Sequence, residues 1–521
     1  MTAPTAGGSV GERADHHVVI VGAGFGGIGS AIELEAAGID DYVIFEKWDG
    51  PGGTWRANRY PGVAVDIPSL VYSFSYEQRG GWSRVFAPGS ELLAYAEDVV
   101  ERRNLRSRMR FGTTVTSMTF DEACDLWCIA IEDARGIREV TARYVINAVG
   151  ALERPVMPSI DGIDRFRGHV LHTARWDDSV DLAGKRVACI GTGASALQLI
   201  PEIAPDVAHL DVYQRTPIWV APKLDPELGR LSRSLLAVPP VRSAARGVAT
   251  VFFDITANVV FQQRLKPLRT GLEASLRRWM RSQVDDPATS DALVPDYGFG
   301  CKRPSMSNTY LRTFNRDNVQ LVTTPISSIT PAGVRTEDGA LHPADVLICA
   351  TGFHVMSEQE PSPFPIHGRG GVELGEFWVT NRFHAYQGVS VCGFPNLFSV
   401  MGPYGFVVGS YFWMIEATTR HAARVIAEAD RRGATSAEIR RGPQDRFVER
   451  CRARQAASPL FGPTCAGSNT YYVNFQGDSP LRPSLYAEMW WENRRFPLSH
   501  YRYANPVREP VAVGARAMTG A

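Results

Sequence analysis

The chain has 521 residues, 44% hydrophobic and 21% charged, a soluble globular composition too long for one ordinary core. Acidic and basic residues balance at 55 each and no Lys/Arg run forms a basic stripe, which argues against a nucleic-acid partner. The eight cysteines are scattered without CxxC spacing, several in apolar runs such as Val187-Ala188-Cys189-Ile190, as buried free thiols in a reducing compartment would be.

In chain order, the first seventeen residues are polar and small, lack the apolar stretch of a secretory signal, and read as a disordered tail; a cytoplasmic protein is expected. His17-Val18-Val19-Ile20-Val21 predicts a parallel strand covered on both faces. It runs into Gly22-Ala23-Gly24-Phe25-Gly26-Gly27, a helix to Ala37 stopped at Gly38, and a strand at 42–45 closing on Glu46, which together make a βαβ unit. Gly22 would take the tight turn, Gly24 admit a pyrophosphate to the backbone, and Gly27 let helix pack on strand. Glu46 stands where a carboxylate accepts the hydroxyls of a ribose. A strand at 144–146 ends in Asn147-Ala148-Val149-Gly150.

The same grammar returns in Val187-Ala188-Cys189-Ile190, then Gly191-Thr192-Gly193-Ala194-Ser195-Ala196, a helix to about Ala204 and a strand at 210–213. Gly191, Thr192, Gly193 and Ser195 would cradle a second dinucleotide. Here Gln214 replaces the acid and Arg215-Thr216 follows. A carboxylate would repel a ribose 2′-phosphate, whereas an arginine and a hydroxyl bind it, so the first site suits FAD and the second NADPH. Between 225 and 300 the rhythm is lost, and segments at 232–237, 242–265 and 272–284 read as helices broken by Pro239-Pro240 and Pro267. The lipophilic stretch from 248 to 261 is too short to span a bilayer and reads first as a buried helix, with a membrane-touching one as the alternative. Strands return at 319–322 and 344–349, the latter ending in Ala350-Thr351-Gly352-Phe353. The expected architecture is α/β, with two Rossmann-like dinucleotide-binding domains and a helical insertion at about 225–300 in the second. Residues 1–150 would begin the FAD domain, 151–350 form the NADP domain, and 351–521 return to the FAD domain with a C-terminal loop region.

Two dinucleotide sites imply hydride transfer from nicotinamide to flavin. Disulfide reduction would need a cysteine pair near the first helix. The only close pair, Cys124 and Cys128, lies far downstream, so oxygen activation is the remaining major choice. Between the two fingerprints, Phe166, Gly168, His172 and Trp176, followed by Asp177, fit FxGxxxHxxxW and resemble the fingerprint of the Baeyer-Villiger monooxygenases. Flavin monooxygenases that oxidise nitrogen or sulfur usually carry Tyr or Phe where Trp176 stands. The resemblance implies an enzyme that uses FAD, NADPH and O2 to convert a small-molecule ketone to an ester or lactone. His172 reads as a hydrogen-bonded histidine of the interdomain linker rather than a general acid.

The resemblance extends over nearly the whole chain. Gly52-Gly53-Thr54-Trp55, with Asn58-Arg59-Tyr60-Pro61-Gly62, is similar to the family's flavin-cradling loop, which implies that Gly53 and Thr54 hold the flavin and Trp55 packs beside its ring. It also implies that Asp66 and Tyr72 lie on the flavin and active-site side, and that the backbone of Val115 lies near the adenine. Cys301-Lys302-Arg303-Pro304 resembles the family's Lys-Arg segment, which implies that Lys302 binds the 2′-phosphate and that Arg303 is the catalytic arginine paired with Asp66. A flavin C4a-peroxide attacks a ketone as its anion. A guanidinium beside it lowers its pKa and stabilises the resulting alkoxide by roughly 3–4 kcal/mol. Two positions depart from the family pattern: His354 replaces a frequent Asp, and Thr470-Tyr471-Tyr472 stands where Ser-Trp-Tyr is common. An oxygenase of sulfides or amines, and a non-enzymatic nucleotide-binding redox sensor, remain the alternatives.

Overall fold

The computed structural model describes residues 14–261, 266–358 and 361–505. The tail expected at the N-terminus lies outside the described residues up to position 13, and His16 and His17 already belong to the first strand. That strand, β1 (His16–Val21), is followed by α1 (Phe25–Ala36) and β2 (Tyr42–Phe45). It lies parallel between β2 and β3 (Gly136–Asn147), with Val19 opposite both Val43 and Val145. Val18 and Ile20 enter one apolar cluster while Val19 and Val21 enter another, so the run is apolar throughout because both of its faces are covered. A Cβ on Gly27 would lie 1.9 Å from the Gly22 carbonyl oxygen, so helix and strand meet only over a glycine. The sheet has eight strands; two of them, Ile366–His367 and Leu397–Ser399, come from the far end of the chain.

β4 (Arg186–Ile190), α2 (Ala194–Ile203) and β5 (His209–Tyr213) repeat the unit in a second sheet of five parallel strands. Its order is Val319–Val322, β5, β4, β6 (Val346–Cys349), His169–His172. A Cβ on Gly191 would lie 2.5 Å from the Ala350 carbonyl oxygen, so the second turn presses on the chain leaving β6.

The insertion folds as α3 (Arg230–Ala237), α4 (Pro239–Phe261) and α5 (Lys266–Arg281). Pro239-Pro240 and Pro267 open helices rather than break them, because a first-turn residue needs no amide donor. The end of the helix expected over 242–265 lies outside the described residues at 262–265. The expected burial of the lipophilic stretch is corrected up to Ile255, since Val248, Val251, Phe252 and Ile255 are 74%, 59%, 64% and 59% exposed, and the side chains from 256 to 261 lie outside those described. Among the described residues, no helix is long and apolar enough to cross a membrane.

Helix α6 (Tyr411–Arg431) packs on α1 and carries the buried His421. That ring stacks on Phe496 at 3.7 Å between Asn493 Oδ1 (2.9 Å) and the Tyr501 hydroxyl (2.8 Å). Burial pushes its pKa from 6.5 down to about 3. Between these values the unfolded chain binds a proton that the folded one refuses. Stability from this site is therefore complete above pH 6.5 and falls as pH drops toward 3. In thermal unfolding, the advantage of the native chain over His421→Gln is expected to shrink from pH 7 to pH 5. A constant gap would contradict a neutral buried imidazole.

Candidate active site

One cavity of about 2320 Å³ runs from the first glycine turn to the second. Every site residue expected from the sequence lines it except Gly27, which lies in the first turn of α1 packed on the Gly22 carbonyl.

At the first end, Gly53 has φ 52°, and a Cβ there would lie 2.8 Å from Gly24 Cα, so the 52–55 loop is pressed against the turn at Gly22 and Gly24. No side chain caps the N-terminus of α1, leaving its first amides for an anion. Glu46 is buried and accepts from the amides of Ala23 (2.6 Å) and Trp48 (2.9 Å). Burial pushes its carboxyl up against these bonds. Thr54 opens the short helix Thr54–Ala57, and Val115 is buried in the strand Thr114–Asp121. Trp55 meets Tyr72 edge-on at 5.7 Å, and Tyr72 meets Phe412 at 5.0 Å. Trp55 and Tyr72 line the cavity and give it an apolar side next to the glycine turn, with Phe412 buried behind Tyr72.

At the second end, α2 also lacks a side-chain cap, Ser195 lies in its first turn, and a Cβ on Gly193 would meet nothing within 4 Å. Thr192 Oγ1 donates to the Thr216 carbonyl at 3.3 Å, and Asn469 Nδ2 donates to Thr216 Oγ1 at 3.0 Å. Lys302 has its pKa lowered, first by burial and then by the neighbouring Arg215. Two cations held this close suit a phosphate dianion.

Between the two ends, Asp66 Oδ2 accepts from Arg303 Nε at 2.8 Å and lies 2.7 Å from Arg303 Nη2. Asp66 pushes the guanidinium well above its ordinary range, with smaller effects from Tyr471, Tyr472 and Tyr411. Burial pushes the Tyr411 phenol up to about 12. Arg303 precedes the strand Ser305–Met306, which pairs with Val220–Ala221 downstream of Arg215 and Thr216. The Asp66 loop is clasped to α2 through Gln198. The Tyr60 hydroxyl donates to Gln198 Oε1 (2.9 Å), and Gln198 Nε2 donates to the Ala64 carbonyl (2.9 Å).

Gln198, Tyr411 and Asn469 escaped the reading of the sequence, which carries no local signal for contacts between segments so far apart. The reading of the scattered cysteines as free thiols is corrected for one pair. Cys301 and Cys465 form a disulfide with Cα atoms 5.1 Å apart, across 164 positions that only the fold brings together. Neither cysteine lines the cavity, while Cys189, Cys349 and Cys451 stay buried thiols. His172 is buried, its Nδ1 accepting from the Ala174 amide at 3.0 Å and its Nε2 lying 3.4 Å from Thr351 Oγ1, outside the cavity lining. His354 Nδ1 lies 3.2 Å from Ser357 Oγ.

Two nucleotide cradles opening on one cavity, with an arginine–carboxylate pair between them, define an oxidoreductase that couples a flavin to a nicotinamide. A family model for pyridine nucleotide-disulphide oxidoreductases matches residues 16–237. A Baeyer-Villiger monooxygenase of Streptomyces coelicolor is 35% identical over 513 residues, covering 97% of this chain and 96% of that relative. One of Pseudomonas aeruginosa is 38% identical over 83% of this chain and 81% of its own. A crystal structure of OTEMO in complex with FAD and NADP matches with a TM-score of 0.83 at 27% identity, covering 95% of this chain and all of that one. Oxidized steroid monooxygenase bound to NADP matches with a TM-score of 0.80 at 30% identity, with the same coverage. The chain belongs to the Baeyer-Villiger monooxygenase family.

Proposed function

We propose that this enzyme converts ketones to esters or lactones, holding FAD and consuming NADPH and O2. Ketone, O2, NADPH and a proton become ester, NADP+ and water. The observation that carries the proposal is the Arg303–Asp66 pair facing the cavity between two phosphate-sized glycine turns. Bound FAD supplies the two-electron activation of O2 at the expense of NADPH.

Residues 1–150 and 351–521 form the FAD domain in this proposal, and 151–350 the NADP domain. Gly22, Gly24 and the α1 amides hold the FAD pyrophosphate, Glu46 accepts the ribose hydroxyls, and Val115 lies at the adenine. Gly53, Thr54, Trp55 and Tyr72 position the flavin ring. Gly191, Thr192, Gly193 and Ser195 hold the NADPH pyrophosphate, and Arg215, Thr216 and Lys302 hold its 2′-phosphate. Arg303 donates to the oxygen on which negative charge accumulates as a new carbon–oxygen bond forms at the ketone carbon, and Asp66 fixes the guanidinium plane for that contact. The wall formed by Phe406, Val407, Tyr411 and Met414 suits a lipophilic ketone. Dependence on NADPH puts the enzyme to work in the cytoplasm.

The test is product analysis. With NADPH, O2 and a panel of cyclic, linear and aryl ketones plus a sulfide, esters or lactones are expected. Sulfoxide formation with no ester from any ketone would assign the site to heteroatom oxidation instead.

A further inference from the structure

Eleven of the 23 large hydrophobic side chains exposed among the described residues fall between 224 and 272, so the apolar surface is gathered on the helical insertion rather than scattered. Val248, Val251, Phe252 and Ile255 follow one another at helical spacing and make a single stripe along α4. Leu231 and Leu235, one turn apart on α3, add to it at 75% and 51% exposure. The other side of α4 is anchored. Arg246 is buried and donates to the Leu70 carbonyl (3.0 Å) and lies 3.2 Å from Ser73 Oγ, while Arg242 Nε lies 3.3 Å from Gln78 Oε1. The stripe is therefore exposed, with Val248 and Phe252 at the cavity and Val251 and Ile255 away from it, on a helix whose opposite face is fixed to the body of the enzyme.

We propose that α3 and α4 seat the enzyme on an anionic lipid surface. Charge is the first argument. From 229 to 253 the sequence holds four arginines and no acid, in a chain whose charges balance as a whole; Arg242 and Arg246 turn to the body, which leaves Arg230 and Arg233 exposed. Arg230 and Arg233 are exposed on α3, Arg233 also donating to the Ser83 carbonyl at 3.4 Å, and their charge would add to the attraction of an anionic surface. An apolar helical face flanked by arginines lies in the plane of the lipid interface, with its apolar side chains below the headgroups. Continuity with the active site is the second argument. Leu224, Val248 and Phe252 are exposed and line the catalytic cavity, which places the apolar surface at its mouth. A second protein seated on the stripe would close this mouth, whereas a lipid surface leaves it open to compounds dissolved in the acyl layer. The surface would thus hold the entrance where lipophilic molecules are most concentrated.

The FAD-loaded full-length enzyme is tested by co-sedimentation with phosphatidylcholine vesicles, with and without phosphatidylglycerol. Binding is expected to the phosphatidylglycerol vesicles and to weaken with salt. Leu231, Val251 and Ile255 do not line the cavity. The triple variant Leu231→Glu, Val251→Glu, Ile255→Glu is therefore expected to lose at least about tenfold in vesicle affinity while keeping its FAD and its rate of reduction by NADPH. If that variant does not hold FAD, the double variant Arg230→Glu, Arg233→Glu carries the test and is expected to abolish the preference for anionic vesicles. No binding by the native enzyme, or unchanged binding by whichever variant carries the test, overturns the proposal. So does a concentration-dependent dimer that the substitutions dissociate without any vesicle binding, which would give the face to a second copy of this chain. The binding readout uses no ketone, so its outcome is independent of the reaction assigned above.

Discussion

Replacing Arg303 by alanine is expected to lower ester formation by on the order of 10²–10³-fold or more, while NADPH still bleaches the flavin absorbance at a rate within a few-fold of the native enzyme. The two effects separate because of where the guanidinium lies. It is paired with Asp66 between the two nucleotide ends, and the cations at the far end are Lys302 and Arg215. In the proposed reaction, removing it deletes the donor to the oxygen that becomes negative as the ketone is attacked, and leaves the residues of both cradles in place. Oxygen consumption should continue, with its electrons leaving as hydrogen peroxide rather than as product. Arg303→Lys keeps a charge but presents one ammonium where the native side chain turns Nε and Nη2 to the carboxylate and keeps Nη1 for another partner, so most of the loss should persist. Asp66→Asn keeps the volume and removes the countercharge, and a smaller loss is expected because the guanidinium remains but is no longer held in plane. Stopped-flow reduction and chromatographic product yield, measured on the same samples, decide the matter. If reduction fails first and ester yield per reduced flavin is unchanged, Arg303 serves the nicotinamide and not the ketone.

The parts of this site that could be read from the sequence are those whose physics is local. A glycine turn between an apolar strand and a helix announces a phosphate cradle, because the constraint acts within a handful of residues. Gly22, Gly27 and Gly191 are each held by a backbone oxygen that a Cβ would strike. Glu46 and Arg215 were legible for the same reason, since each closes a βαβ unit whose length is set by its own helix. The pairing of Arg303 with Asp66 was not local and came only from likeness to other chains. The Gln198 clasp, the Asn469 contact to Thr216 and the Cys301–Cys465 bond join segments more than a hundred positions apart, and no periodicity encodes them. The 248–261 stretch shows a different limit. Hydropathy states what a segment would bury, not what is there to cover it, and a stripe at helical spacing looks the same whether it faces a core or a surface. The exposure of its described side chains, up to Ile255, follows from Arg246 and Arg242, which turn the opposite face of α4 toward the body.

The end proposed to hold the 2′-phosphate yields the other large effect. Charge-assisted bonds to a phosphate contribute roughly 1.5–3 kcal/mol each, so Arg215→Ala and Lys302→Ala should each lower kcat/KM for NADPH by about 10–150-fold and leave kcat/KM for NADH nearly unchanged. The double variant should lose less than the product of the two single losses, since both cations bind one group and neither single variant leaves the other undisturbed. Acidity supplies an independent check. Burial and Arg215 together depress the Lys302 pKa, so the ammonium loses its proton at lower pH than an ordinary lysine. The preference for NADPH over NADH should therefore decline as pH rises, on a limb that begins below the usual lysine range. Removing Arg215 takes away the second depressing cause and raises the Lys302 pKa, so in Arg215→Ala the residual preference should persist to higher pH than in the native enzyme. Parallel losses with both nucleotides would place these cations on the pyrophosphate they share, and an alkaline limb that does not move in Arg215→Ala would show that the two side chains do not face the same phosphate.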